Sequence, residues 1–318
     1  MRTVSIANAI NEALREEMLR DENVYFIGED IGLYHQGRGP QGTNTGLLEE
    51  FGEERVIETP IEESAIVGCA TGTALCGLRP VEEIMHSEFL CHCFEHVFYG
   101  GTKGAVMADG HPFPIVIRAP YGGTTPGQLV QDENNEGWFN QASGLTIVAP
   151  SNAADAKGMM KAAIRHDYPV LFMEHKGIYK MEGEVPDGDY VADLFKAAIR
   201  REGTDITVLT YGNMVYKALE AAEKLAEDGV SVEVVDLRVL NPLDEETILA
   251  SVKKTGRAVV FHEARKTGGL GGEVAALVAE KGFDALKAPV LRVAGPNVPA
   301  NFPPTADDLM ERIRSAIV

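Results

Sequence analysis

Basic residues are scarce in this 318-residue sequence: 29 Lys and Arg stand against 48 Asp and Glu, a formal net charge of −19. Nucleic-acid binders take their affinity from clustered Lys and Arg, so this balance argues against nucleic acid and leaves solubility or a basic partner as its meaning. A secretion signal is missing as well. Residues 1–20 are amphipathic and carry Glu12, Glu16 and Glu17, without the charge order of a signal peptide. No membrane segment is read, and the expected location is the cytoplasm. The four cysteines, Cys69, Cys76, Cys91 and Cys93, fall in one short apolar stretch, as reduced thiols of cytosolic proteins do, which argues against a disulfide framework. Cys91, His92, Cys93 and His96 have no second CxxC, and Cys91 and Cys93 would face different directions on a helix, so packing outweighs zinc.

Other absences narrow the class further. There is no repeat at solenoid period and no long low-complexity tract. No GxGxxG follows the first strand with an acidic residue ending the next, which removes a simple dinucleotide-binding dehydrogenase. The glycine run Gly268, Gly269, Gly271 and Gly272 has no Walker-type Lys; its amides could receive an anion, but tight packing is the better reading. What remains is an ordinary globular composition, 45% hydrophobic and 24% charged, in a chain long enough for about two domains.

Periodicity gives the architecture. Ile6, Ile10, Ala13, Leu14 and Met18 recur at helical spacing behind a Ser5 cap, and 24–27 reads as a buried strand. Strands at 55–58, 115–117, 145–148 and 170–174 alternate with helices from about Ile61, at 89–99 and at 153–164. That alternation predicts a three-layer α/β domain over 1–182 with a mainly parallel sheet. The acidic stretch from Glu182 to Asp193, with Gly183, Pro186 and Gly188, breaks both periods and places a linker at 183–199. A second α/β domain over 200–318 restarts with strands at 206–211, 230–236, 258–261 and 290–293 and helices at 215–226 and after Gly271.

The chemistry gathers in one segment. Thr59, Pro60 and Glu62 suit the N-cap, first position and third position of a helix, the pattern of a capping box. Glu63 has no such task, and the helix it opens carries Gly68 and Gly72, each costing about 1 kcal/mol against Ala in a helix interior. Taken alone, Glu63 is a first-turn carboxylate favoured by the helix dipole on a small-residue face.

The strings Glu58-Thr-Pro-Ile-Glu-Glu63, Gly77-Leu-Arg-Pro80, Tyr25-Phe-Ile-Gly-Glu-Asp30, Asp236-Leu-Arg-Val-Leu-Asn-Pro-Leu-Asp244 and His262-Glu-Ala-Arg-Lys-Thr-Gly-Gly-Leu-Gly-Gly272 occur in order along nearly the whole chain. In order and spacing they resemble the β subunits of thiamine-diphosphate-dependent 2-oxo acid dehydrogenase E1 components, of pyruvate, branched-chain or acetoin type. The resemblance implies a pyrimidine-binding transketolase-like domain followed by a transketolase-C-like domain. It implies that Glu63 hydrogen-bonds N1′ of the cofactor's aminopyrimidine and activates it, with Met85 and Phe89 lining the ring; on the residues alone, a Met and a Phe four apart are core. Glu29 and Asp30 resemble the acidic pair at the first strand's carboxyl end, where a solvated strand end is the alternative. Ile115, Ala163 and Ile164 match positions whose carbonyls surround potassium in some relatives.

Two departures matter. These enzymes hold the diphosphate and Mg²⁺ on a Gly-Asp-Gly motif, which this chain lacks, so the resemblance implies an α-type partner that brings it, in an α₂β₂ heterotetramer feeding a lipoylated E2. The family's loop histidine is also absent: Gln131 or, one residue on, Asp132 stands there, and neither can act as an imidazolium acid. His86, His92 or another chain would then serve, or the reaction differs. The alternatives are a two-chain transketolase-like enzyme passing its carbanion to an aldehyde, and a regulatory subunit without activity, against which Glu63 argues.

Overall fold

The computed structural model describes residues 1–32, 42–101, 103 and 110–317, the side chains of 100 and 101 excepted. Two compact units emerge, and each is interrupted in sequence: Met1–Tyr121 with Gln141–Leu194, and Gly122–Asn140 with Phe195–Val318.

The first unit runs β1 (Arg2–Ser5), α1 (Ile6–Arg20), β2 (Val24–Glu29), α2 (Leu47–Phe51), β3 (Val56–Thr59), α3 (Glu63–Leu75), β4 (Arg79–Glu83), β5 (Val116–Tyr121), β6 (Thr146–Val148), α4 (Ala153–Arg165), β7 (Val170–His175) and β8 (Glu182–Val185). Ser5 starts α1 as expected, its hydroxyl accepting the Asn8 amide. The apolar stripe of α1 is buried and packs on α4. Two buried lysines of α4 are answered by carboxylates of α1: Lys157 reaches Glu12 and Glu16, and Lys161 reaches Glu16. The strands β6, β7, β5, β4, β2 and β3 lie side by side in that order, all parallel. With both faces of the sheet covered, β2, β5 and β7 are buried at every position and read as unbroken apolar or paired runs.

The acidic stretch expected to link the halves is structured at its start: β8 pairs antiparallel with β1, and Asp189 binds Lys161 and Arg165. The helix carrying Glu63 also begins later than its capping pattern predicts. Thr59 closes β3 opposite Glu29, and its hydroxyl donates to the Pro60 carbonyl instead of capping. Strand pairing of the Val-Ile run outweighs the local cap signal, so α3 starts at Glu63 behind Glu62, without a side-chain cap. The helix expected at 89–99 is a 3-10 turn, Ser87–Cys91, and a π-helical turn, His96–Gly101. Amides of Phe89, His92 and Cys93 bond three residues back, tightening the turn beyond an α-helix.

The second unit contains β9 (Ala198–Arg201), β10 (Ile206–Thr210), α5 (Met214–Glu227), β11 (Val232–Asp236), β12 (Val239–Asn241), α6 (Glu245–Thr255), β13 (Ala258–Arg265), α7 (Gly271–Lys281), β14 (Leu291–Gly295) and α8 (Ala306–Ile317). Its sheet has the order β14, β13, β10, β11, β9, parallel apart from the last strand. Ile206, Val208, Val232, Val234, Val259 and Phe261 pack under Ala218, Ala222 and Leu225 of α5 and Leu309 and Ile313 of α8. The helices α6 and α8 were not read from the sequence, although Asp244 caps the one through the Thr247 amide and Thr305 accepts from the Asp308 amide at the start of the other. Among the described residues no helix is long and apolar enough to cross a membrane.

Candidate functional site

Glu63 is the first helical residue of α3, buried, where the unpaired amides and dipole of the helix favour a carboxylate. Its Oε2 lies 3.1 Å from Nδ1 of His92, a largely exposed imidazole. The Phe89 ring is tilted against that imidazole at a centroid separation of 5.8 Å. Met85 and Phe89 are both half-buried, just beyond β4. Glu29 ends β2 with its Oε2 buried and, among the described residues, without a hydrogen-bond partner. Its carboxyl is pushed up to about 7, first by burial and then by the charges of Glu63, Asp30 and Glu83. The chain thus assembles two buried carboxyls, one sharing an imidazole and one holding its proton to neutral pH. That donor set fits a planar heterocycle with ring nitrogens: a protonatable oxygen stands available at Glu29 and a carboxylate at Glu63.

Behind this pair lies a second acidic cluster. Arg118, fully buried on β5, forks onto Glu174 through Nε and Nη2 at 2.7 and 2.9 Å. Its Nη1 donates to Glu83 at 2.5 Å and to Asn44 at 3.2 Å, and Nη2 donates to Thr43. Tyr179 donates to Glu174 at 2.6 Å. The strands β4 and β5 set Glu83 opposite Arg118, and β7 brings Glu174 two residues further on, opposite Pro120.

The expected potassium positions are buried, and each carbonyl already accepts a protein donor: Ile115 from the Val170 amide, Ala163 from the His166 amide, Ile164 from Arg79 Nε at 3.0 Å. Arg79 also binds the carbonyls of Arg165 and His166, so a guanidinium sits on the carboxyl end of α4. Gln131 and Asp132 belong to the second unit. Gln131 is exposed with φ of 66°, left-handed for a side chain that rarely adopts it, and Asp132 is buried. The glycine run packs tightly: a Cβ on Gly271 would lie 2.2 Å from His262 Nε2, and one on Gly137 would lie 2.5 Å from the Gly268 carbonyl.

The sequence names His92 as a zinc candidate set aside for packing and as a stand-in for an absent histidine; its pairing with Glu63 across 29 residues has no local signal. Glu83, Arg118 and Glu174 were not singled out at all.

The two units carry the layering of transketolase halves. The transketolase pyrimidine-binding domain model matches residues 2–182 and the transketolase C-terminal domain model matches 195–311. In a solved structure described as a split-gene transketolase, inactive β₄ tetramer, the fold recurs with a TM-score of 0.81 at 23% identity, over 99% of this chain and 98% of that one. Closer in sequence is the 2-oxoisovalerate dehydrogenase subunit β of Bacillus subtilis, 45% identical over 94% of this chain and 91% of its own length. The acetoin:2,6-dichlorophenolindophenol oxidoreductase subunit β of the same organism is 42% identical over 96% and 93%. The pyruvate dehydrogenase E1 component subunit β of Staphylococcus epidermidis is 40% identical over 100% and 99%. The chain belongs to this family of E1 β subunits of 2-oxo acid dehydrogenases.

Proposed function

We propose that the chain is the β half of a heteromeric E1, completing with an α-type subunit a thiamine-diphosphate site that decarboxylates a pyruvate-like 2-oxo acid and passes the acyl group to a lipoyl carrier. The observation that carries this is the buried pair of Glu63 and Glu29, one oxygen of the first on an imidazole and one of the second without a partner among the described residues. When bound, the cofactor supplies the thiazolium at which the oxo acid loses carbon dioxide. On this chain, Glu63 would hold the aminopyrimidine N1′ and exchange a proton with it at a carboxylate oxygen. Glu29, protonated up to about pH 7, would keep a second negative charge away from Glu63. Met85 and Phe89 would wall the ring and keep out water. The half-site 1–182 has no diphosphate motif, so the diphosphate and Mg²⁺ fall to the α partner. Potassium, if held, would use the second lone pairs of the Ile115, Ala163 and Ile164 carbonyls, with the Arg79 charge opposing it. The cytoplasm and a lipoylated E2 complete the reading.

The missing loop histidine favours one further reading, transfer to an aldehyde acceptor. Co-expression with the α-type partner, followed by cofactor-dependent decarboxylation assays on several 2-oxo acids with a lipoyl domain or an aldehyde as acceptor, separates the two. Acylation of the lipoyl domain is the expected result; turnover with aldehyde alone would move the assignment to a two-chain transketolase-like enzyme.

A further inference from the structure

The loop after β5, residues 122–140, interrupts the first unit in sequence yet clusters with the second. The end of β13 explains how. The pairing of β13 with β14 shifts register between His262 and Arg265; His262 lies against the glycines of the α7 entry, while Glu263 and Arg265 bond the loop. Oε1 of the buried Glu263 accepts the Gly123 amide at 2.6 Å, Asn134 Nδ2 at 3.2 Å and Asn301 Nδ2 at 2.8 Å. Asn301 Nδ2 also donates to the Asp132 carbonyl at 2.8 Å, and the Gly127 amide donates to the Asn301 carbonyl. Arg265 meets Glu133 through two parallel bonds of 2.5 and 2.9 Å, and Tyr211 donates to Glu136. One carboxylate oxygen therefore gathers the beginning of the loop, its middle and a distant segment, and through Asn301 the hub reaches the carbonyl of Asp132, the residue after Gln131 with its positive φ.

We propose that Glu263 is a positioning residue: its carboxylate fixes the 122–140 loop, and with it Gln131 and Asp132, in the conformation that handles substrate. The second unit then contributes to turnover through this loop, beyond assembly. The inference rests on reading that loop as the one that meets the oxo acid or the acyl acceptor. Removing the acceptor oxygen frees three donors at once and loosens the loop without touching Glu63. Misplacing a substrate-handling group by an ångström lowers rates by up to about 10²-fold.

The test uses the assembled α₂β₂ enzyme with Glu263→Ala, the conservative Glu263→Gln, Asn301→Ala as a second route to the same loosening, and Gln131→Ala. Hydrogen exchange over 122–140, thiamine-diphosphate affinity, and kcat and KM for the oxo acid are measured. The expected result is faster loop exchange in Glu263→Ala and Asn301→Ala and a fall of about 10- to 100-fold in kcat/KM. Cofactor affinity should stay unchanged, and Glu263→Gln should recover part of both losses. Unchanged exchange overturns the anchor. Faster exchange with unchanged kcat/KM, in Glu263→Ala and Gln131→Ala alike, overturns the proposal at its premise, the substrate role of the loop. A matching loss of cofactor affinity would show general damage and overturn it too.

Discussion

The first unit holds two clusters of buried acids, and they are finished to different degrees. Around Arg118, Glu83 and Glu174 share a guanidinium, two side chains from the 42–46 turn and a tyrosine hydroxyl, so the polar atoms of the cation are met on every side. Among the described residues, Glu63 meets one exposed imidazole and Glu29 keeps a buried oxygen with no partner. A saturated polar cluster fixes the positions of the strands it ties. An incomplete one stores unmet hydrogen-bonding capacity until a ligand supplies it. On the proposed function, structure and chemistry use the same residue type a strand apart.

Cutting the saturated cluster should do the most harm. Arg118→Met leaves Glu83 and Glu174 buried without their cation and is expected to lose about 3–5 kcal/mol of stability at pH 7. Part should return as pH falls and Glu83, whose carboxyl is pushed up by burial, takes up a proton, in urea unfolding of the assembled enzyme. A neutral effect would mean that the guanidinium is replaceable. Glu63→Gln should do the reverse, leaving the unfolding midpoint in place while turnover falls by about 10²–10⁴-fold; retained turnover would remove Glu63 from the chemistry.

Glu29 sharpens the contrast through pH. Its folded-state pKa of about 7 exceeds the unfolded 4.5, so the folded chain binds more protons between those values. Its stabilisation is full below pH 4.5 and is lost as pH rises to 7, at an upper limit of about 3 kcal/mol. Glu29→Gln should therefore melt higher than the parent at pH 8 and equally at pH 4; equal melting at both would mean that the carboxyl is already ionised. His92→Asn is expected to be the mildest change, a few-fold fall in kcat with cofactor affinity preserved, read by steady-state kinetics and cofactor titration. A collapse in affinity would make the imidazole part of the binding wall.

How far the sequence reached follows the range of each interaction. Ser5 and the α1 stripe, and the buried runs of β2 and β7, are local patterns and were read within a residue or two. Thr59 misled because its capping signal is also local, while the pairing of β3 with β2 that overrides it spans some thirty residues. Motif order placed Glu63 in the site region, but its imidazole partner, the Arg118 fork and the Glu263 hub join residues 29, 56 and 140 positions apart. No periodicity encodes such pairs. The two helices left unread had signals in plain view, an Asp244 cap and the Leu309, Met310, Ile313 spacing, outweighed by reading the first as part of a motif.

The anchoring of residues 122–140 also bears on how the chain is made. The loop leaves the ribosome well before Glu263, Arg265 and Asn301 exist, so through the synthesis of more than a hundred residues it has nothing to hold it. Loop closure over that separation comes late in folding. The nascent first unit therefore forms its sheet around an insertion whose Glu263, Arg265 and Asn301 anchors are made later. A truncation ahead of β13 that spares every residue near Glu63 would still leave the loop without its Glu263 and Arg265 anchors.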